Sequence, residues 1–313
     1  MVLLIERISK LYSKLENHHH HHRHDDLQSE AFSASLQAFE SDVSNFLNQL
    51  LLNSKPGSEG LSLPWVQQCL GLLPAINKAF AKLVVEIDYP ISIWEVASVE
   101  EYLNYSLSLL DLFNSISSSL AYLGQARLSL AHALSLVENS PSLAIERLKE
   151  IEPRKLTEDF RKGETNEDGQ ERNCLGKQRV VHQALIVMKS IGFWVCGIVL
   201  SGLCNDAKPY LEMRTPVGGF VSPSIGELDS RIYEIVMEKE TILREVKELN
   251  DALACLVAAL VDGKDSKATE ELQGKLEVSE KLLDGLQKEV DHLFSDILAG
   301  RNKLLDCLRH RKL

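Results

Sequence analysis

The sequence predicts an all-α protein, an elongated multi-helix bundle that closes with an antiparallel coiled-coil hairpin. Apolar residues recur three and four positions apart through nearly every patterned segment, which is the period of one face of an α-helix. No segment of any length shows the apolar and polar alternation of a half-buried strand. With 313 residues and 44% hydrophobic content, the chain can bury at least one substantial core.

Charge and cysteine usage exclude some classes of partner and compartment. The net charge of -11 and the pI near 5.4 oppose nucleic-acid binding, which needs a basic face to displace counterions from phosphate. The six cysteines are widely scattered and include no CxxC pair, so they indicate a reducing compartment rather than a disulfide framework. We therefore expect a cytoplasmic protein with no nucleic-acid partner.

Residues 1–17 predict an amphipathic helix that packs on the body of the protein. The apolar start before Glu6 is too short for a signal-peptide core, and an acidic start does not suit a transit peptide, so plastid import is not expected. A helix that lies on a membrane surface is the alternative. The apolar positions are Leu4, Ile8, Leu11 and Leu15.

Residues 18–30 form a His-rich linker in this interpretation. Positions 18–22 and 24 are histidine, and neutral imidazole binds divalent metals. A metal site also needs partners that fix the ligands, which a run of identical residues between polar neighbours does not offer. We therefore predict a solvated linker and no metal site.

Residues 31–151 predict the N-terminal portion of the bundle. Segment 32–50 reads as one helix, and a second helix runs from about 63 to 87, with Pro64 in its first turn and Pro74 as a point of kinking or division. The next helix has so broad an apolar face that it should be packed on two sides. Ser92 is its predicted N-cap, with Glu95 at capping-box spacing. It ends by Pro141, where Ser140 caps a shorter helix.

Residues 152–179 are almost all charged or polar and predict a disordered loop. The remainder, 180–313, contains an apolar helix followed by two long helices, predicted over 225–260 and 272–304, which would form the hairpin. Lys239 and Ser279 are polar positions in its seam. We expect 180–313 to pack with 31–151 as one domain.

Residues 190–204 are the most apolar stretch and raise the question of a membrane span. Fifteen uncharged residues reach about 22 Å as a helix, short of the roughly 30 Å hydrocarbon core. An extension backward encloses Lys189, which is costly inside a bilayer. A buried core helix is therefore favoured, and a membrane anchor at 190–204 is the alternative. Small residues offer it a packing face: Gly192, Gly197, Ser201 and Gly202.

No catalytic, cofactor-binding or metal-binding residues are predicted, and the chain does not read as an enzyme. Cys204, followed by Asn205 and Asp206, is best explained by inert burial. The basic end fits a helix C-terminus, with contact to anionic lipid or an acidic partner as the alternative. The isolated histidines are His132, His182, His292 and His310, and the basic end contains Arg301, Lys303, Arg309, Arg311 and Lys312.

Two regions resemble the BYPASS family of plant proteins. The first lies in "EIDYPISIWEVASVEEYLNYSLSLLDLFNSISSSL" and includes Pro90, Ser92, Trp94, Glu95, Tyr102, Leu109, Leu110, Asp111, Leu112, Asn114 and Ser118, then Asn139, Ser140 and Pro141. The second lies in "EVDHLFSDILAGRNKLLDCLR" and includes Glu289, Val290, Asp291, Phe294, Gly300, Arg301, Leu304 and Leu305.

The resemblance implies a developmental regulator of root and shoot growth that restrains a mobile, root-derived signal arresting the shoot. It implies no active site and no residue role to carry over. Chloroplast targeting is sometimes assigned within the family, and the acidic start of this chain departs from that pattern. The partners of such a protein would be other proteins, whose identity and stoichiometry the sequence does not specify.

Overall fold

A computed structural model describes residues 25–53, 61–152, 154, 176–214, 223–237, 242–262 and 266–310. These ranges contain nine α-helices and no β-strand. The all-α class is confirmed. The helices are α1 (Asp25–Asn53), α2 (Leu63–Glu86), α3 (Val96–Ser135), α4 (Pro141–Arg147), α5 (Lys177–Cys204), α6 (Lys208–Met213), α7 (Pro223–Met237), α8 (Arg244–Asp262) and α9 (Ser266–His310), with a 3-10 turn at Ile91–Ile93.

The apolar helix α5 is the centre of the bundle, because α1, α2, α3 and α6 all pack against it. Every residue from 194 to 204 is buried, and Trp194 is fully enclosed. By length and composition α5 and α2 could each cross a membrane, yet 78% and 50% of their apolar windows are buried inside the protein. A core helix meets the same criteria, and that is the position α5 occupies here.

Helix α3 is packed on two sides, as its broad apolar face predicts. It lies against α5 on one side and against α9 on the other, and α9 also contacts α2 and α8. Polar pairs join α3 to α9 along this contact: Arg127 Nη2 lies 2.9 Å from Glu280 Oε1, and Gln287 Nε2 donates to Ser117 Oγ at 3.2 Å.

The predicted helix over 225–260 is two helices, α7 and α8, and this differs from the expected hairpin. Helix α7 packs against α1, whereas α8 packs against α9 and α4. Between them Leu243 is buried and non-helical. The Arg244 N–H donates to the Leu61 carbonyl at 2.8 Å, and the Leu63 N–H donates to Glu245 Oε2 at 2.9 Å. This junction with the start of α2 explains the interruption.

The coiled-coil geometry of the hairpin stays a prediction, because the apolar side of α9 is shared among α2, α3 and α8. Ser279 is buried on α9, as a seam position should be, and Lys239 lies outside the described residues.

Some helices begin where the sequence predicts, and others begin at different residues. Helix α2 begins as expected, since Ser62 Oγ accepts from the Trp65 N–H at 3.4 Å, and it continues past Pro74 undivided. The predicted cap at Ser92 is wrong: α3 begins at Val96, and Ser92 lies in the 3-10 turn. The buried indole of Trp94 donates to the Tyr89 carbonyl at 2.9 Å and holds that turn in place.

Other limits of the predicted segments are displaced as well. Helix α3 ends at Ser135, and Ser140 is at the N-cap of α4 without a side-chain capping bond. Helix α1 begins at Asp25, inside the predicted linker 18–30, and α5 begins at Lys177, inside the predicted loop 152–179. Residues 1–24, 155–175 and 311–313 lie outside the described residues, together with the N-terminal helix and the histidine tract predicted there.

Candidate functional site

The small-residue face of α5 packs closely against other segments of the protein. A Cβ atom at Gly192 would overlap the Tyr105 hydroxyl of α3, and one at Gly197 would lie 3.1 Å from the backbone of α6. Gly202 faces Leu61. Ser201 Oγ accepts from the backbone N–H of Tyr210 at 3.0 Å. The predicted packing face is therefore occupied by α3, by α6 and by the residues just before α2 and α8.

Lys189, the charged residue that limits the apolar stretch, is paired with a carboxylate on α3. Its Nζ lies 2.8 Å from Glu101 Oε1, and His182 Nδ1 lies 3.2 Å from Glu101 Oε2. Burial raises the pKa of Glu101, but the hydrogen bonds from His182 and Lys189 and their charges outweigh burial and lower this pKa to about 2. The ion pair thus joins α5 to α3 and gives the lysine a partner inside the bundle.

Asp229 of α7 is fully buried and receives donors from three directions. Its Oδ1 accepts from Trp194 Nε1 at 2.9 Å and from the Tyr210 hydroxyl at 2.5 Å. Its Oδ2 accepts from Arg214 Nε at 2.7 Å and lies 2.6 Å from Arg214 Nη2. The Arg214 guanidinium also stacks over the Tyr233 ring at 4.4 Å. A buried charge with such partners connects α5, α6 and α7 rather than facing a cleft.

The pKa directions agree with a structural role for this Asp229 cluster. Burial, followed by the hydrogen bond to Asp229, raises the pKa of Tyr210, so the phenol stays a proton donor. The hydrogen bond with Asp229 raises the pKa of Arg214. Tyr210 and Arg214 therefore both keep their protons near neutral pH.

The remaining titratable candidates lie apart from one another. Cys204 is buried and its thiol lies 3.4 Å from Ser119 Oγ; burial raises its pKa, which opposes a nucleophilic role. His132 is exposed, and His292 lies 3.7 Å from Asp296, one helical turn away. Within the described ranges, no group of three or more His, Cys, Asp or Glu side chains is placed to hold a metal ion.

The residues that carry the family resemblance divide into an inner and an outer set. The inner set includes Trp94 and Tyr102, whose rings meet edge to face at 6.2 Å and both contact Phe80. It also includes Arg301, whose Nη1 donates to the Leu103 carbonyl and to Ser106 Oγ and so ties α9 to α3. These residues hold the core together.

Three residues of the outer set form a stripe on the exposed side of α3. Asp111, Asn114 and Ser118 follow the three and four spacing of a single helix face and are all exposed. The chain beyond α4 reaches this stripe at one end, where Arg154 Nη1 donates to Ser118 Oγ at 2.6 Å. Exposed polar residues do not stabilise a core, so Asp111 and Asn114 are the best candidates for recognition of a partner.

Periodicity alone does not identify Asp229 or Glu101. A signal for Asp229 does exist: it lies on the apolar face of α7, four residues after Ile225 and three before Ile232. A carboxylate in an apolar stripe needs a buried donor. For Glu101 the signal is indirect, because Lys189 in so apolar a helix requires an acidic partner.

Comparison with known proteins finds plant relatives. Over 286 residues the chain is 25% identical to "UPF0496 protein 4" of rice, Oryza sativa subsp. japonica, a match that covers 83% of this chain and 63% of that protein. Over 299 residues it is 23% identical to "Protein BPS1, chloroplastic" of Arabidopsis thaliana, covering 88% of this chain and 83% of that protein. The chain thus spans less than two thirds of the rice relative. No protein-family model and no solved structure matches it.

Proposed function

The chain is similar to the BYPASS family over most of its length, and on that premise we propose that it is a non-enzymatic helical protein that regulates root and shoot development. The match to BPS1 across 88% of the chain carries this proposal. Following the family resemblance, the protein would restrain a root-derived mobile signal that arrests shoot growth. It would act by presenting helix faces to protein partners.

The burial of the titratable groups supports a non-enzymatic role. Glu101, Lys189 and Asp229 are each engaged in bonds between helices, and the Cys204 thiol is enclosed. A hydrolytic or group-transfer site needs a nucleophile, a base and a stabilising donor around an accessible cleft. The described residues place no such set together.

Rescue of a plant that lacks this protein tests the proposal. Wild-type protein should restore root and shoot growth, and the folded variants His182→Gln and Cys204→Ala should restore it too. Loss of rescue by either folded variant would contradict the non-enzymatic role. Failure of the wild-type protein to change growth would contradict the developmental role.

The outer stripe of α3 can be tested in the same assay with one substitution inside the stripe and one at an exposed asparagine outside it. Asn114→Ala should lower rescue, because Asn114 is exposed and belongs to the residues that carry the resemblance. Asn302→Ala is the control, since Asn302 is exposed on α9 and lies outside that set. Both variants should keep the thermal stability of the wild type, because exposed substitutions change it little. Equal rescue by the two would show that the stripe is not a recognition surface.

A membrane-anchored protein acting on synthesis or trafficking of the signal is the second candidate, favoured by the length and hydropathy of α5. The ion pair of Lys189 and the burial of 194–204 support a core helix instead. Alkaline carbonate extraction of plant membranes separates the two, because an integral span stays in the pellet. A fluorescent fusion of the intact protein would show whether it is cytoplasmic, as proposed, or chloroplastic, as the name of BPS1 says of that protein.

A further inference from the structure

Helix α8 contains an apolar segment with no polar side at all. Ten consecutive residues, 252–261, read "ALACLVAALV", with Asp251 before them and Asp262 after them. A helix that is apolar all round is normally enclosed on every side. The composition of segment 252–261 therefore predicts that each of its sides is covered.

Within the part of the chain that the structure describes, only one side of this segment is covered. Leu253 and Leu256 are buried, and α8 packs against α9 and α4. On the opposite side Ala254 and Ala258 are exposed, and Val261 is 72% exposed. An apolar surface left open on an otherwise apolar helix marks a place where another molecule packs.

The open side forms a groove of about 560 Å³ between α8 and the chain that follows α4. Its apolar floor and walls consist of Leu148, Leu253, Ala254, Val257, Ala258 and Val261. From 254 to 261 the floor runs for about two helical turns, roughly 10 Å. Alanine at 254 and 258, one turn apart, lets the backbone of a second helix approach closely.

The rim of the groove is acidic, and this selects among the molecules that could fill it. Glu150 and Asp262 line it, and no described lining residue is basic. An anionic membrane surface would be repelled by these carboxylates. A second copy of the same groove would bring Asp262 against its own equivalent, and like charges placed opposite each other oppose association. A helix with basic ends is complementary to the rim.

We propose that this α4–α8 groove binds an amphipathic helix of a partner protein, one with an apolar face two to three turns long and a lysine or arginine at each end. This is the helix-in-groove mode of recognition, in which apolar residues at positions i, i+3 or i+4, and i+7 fill the groove. The inference rests on the proposed interaction function and names the chemical class of one partner element.

The test selects helical peptides on the intact protein. A displayed library of 16-residue helix-forming peptides, randomised at the apolar face and at both ends, is enriched on the wild-type protein and depleted on Ala258→Glu. The enriched peptides should carry the apolar spacing with basic ends, and their affinity for Ala258→Glu should fall at least about tenfold. Val278→Glu, at an exposed apolar site on α9, is the control and should bind like the wild type.

Two internal readouts place the peptide at the groove. Cys255 and Cys307 are both exposed thiols, and Cys255 lies on α8 beside Ala254. Bound peptide should slow alkylation of Cys255 and leave that of Cys307 unchanged. Replacing Glu150 by lysine should shift the preference toward peptides with acidic ends.

Several outcomes would overturn the proposal. These are no enrichment over Ala258→Glu, enriched peptides without basic ends, or equal protection of both thiols. Binding to phosphatidylserine vesicles that Ala258→Glu abolishes would assign the groove to lipid, and a dimer that this variant dissociates would assign it to a second copy. Rescue of plant growth is a separate measurement, so failure here is distinguishable from failure of the developmental role.

Discussion

Replacement of Asp229 by asparagine should be among the most destabilising single substitutions in this protein. The amide keeps the shape of the side chain and can still accept at Oδ1 from Trp194 and Tyr210. Its NH₂ group, however, would face Arg214 Nε and Nη2, which lie 2.7 and 2.6 Å from Oδ2 in the wild type. The asparagine NH₂ and the Arg214 N–H groups are all hydrogen-bond donors, so no bond would form between them. The guanidinium would also lose the negative charge that neutralises it.

The size of the expected loss in free energy of unfolding follows from the burial of the ion pair. Removing one partner of a buried ion pair costs about 3 to 5 kcal/mol, because the other charge is left uncompensated. Asp229 is fully buried but the Arg214 side chain is 21% exposed, so partial hydration of the guanidinium favours the lower end, about 3 kcal/mol. Arg214→Met in the same background should recover part of this loss, since it removes the unpaired charge.

Urea unfolding followed by far-ultraviolet circular dichroism gives the free energy of unfolding of each variant. Asp284→Asn, at an exposed position on α9, is the matched control and should stay within about 0.5 kcal/mol of the wild type. The reasoning is refuted if Asp229→Asn costs less than about 1 kcal/mol. It is also refuted if the effects of Asp229→Asn and Arg214→Met simply add.

Two further substitutions probe the packing of α5 and its ion pair. Gly192→Ala should lower the free energy of unfolding by about 1 to 3 kcal/mol, because its methyl group overlaps Tyr105, whereas Gly274→Ala on α9, with nothing within 4 Å, should leave it unchanged or raise it. Equal melting temperatures for both would contradict this packing. The pKa of Glu101 in the folded protein is about 2, below its ordinary value of 4.5, so its contribution to the free energy of unfolding is present above about pH 4.5 and lost as pH falls toward 2. The stability difference between wild type and Glu101→Gln should shrink over that window, and a constant difference would count against the ion pair.

Most of the fold follows from periodicity, because the period of 3.6 residues is strong in long amphipathic helices. The periodicity predicts α2 and the two-sided packing of α3 correctly. The periodicity also predicts one helix where the structure has α7 and α8, because the apolar spacing continues across the interruption at Leu243. The interruption results from contacts with Leu61 and Leu63, about 180 positions away, which a local pattern does not contain.

In the candidate site, too, local patterns are readable from the sequence, whereas contacts between distant residues are not. The small-residue face of α5 is readable from sequence because glycine and serine are distinctive within an apolar run. The partners of Lys189 and Trp194 are Glu101 and Asp229, and neither acid is near its partner in sequence. Which exposed residues of α3 form an uncovered stripe depends on where α5 and α9 pack, so it required the structure.

The contact between α3 and α9 has a consequence for how the protein forms during synthesis. Arg301 and the Leu103 carbonyl that it binds are 198 positions apart. While the ribosome is still making α9, the side of α3 that α9 will cover has no permanent partner. Until α9 has been synthesised, this apolar surface of the nascent chain is exposed to aggregation. The yield of folded protein in cells should therefore depend on chaperones more strongly than the free energy of unfolding alone would predict.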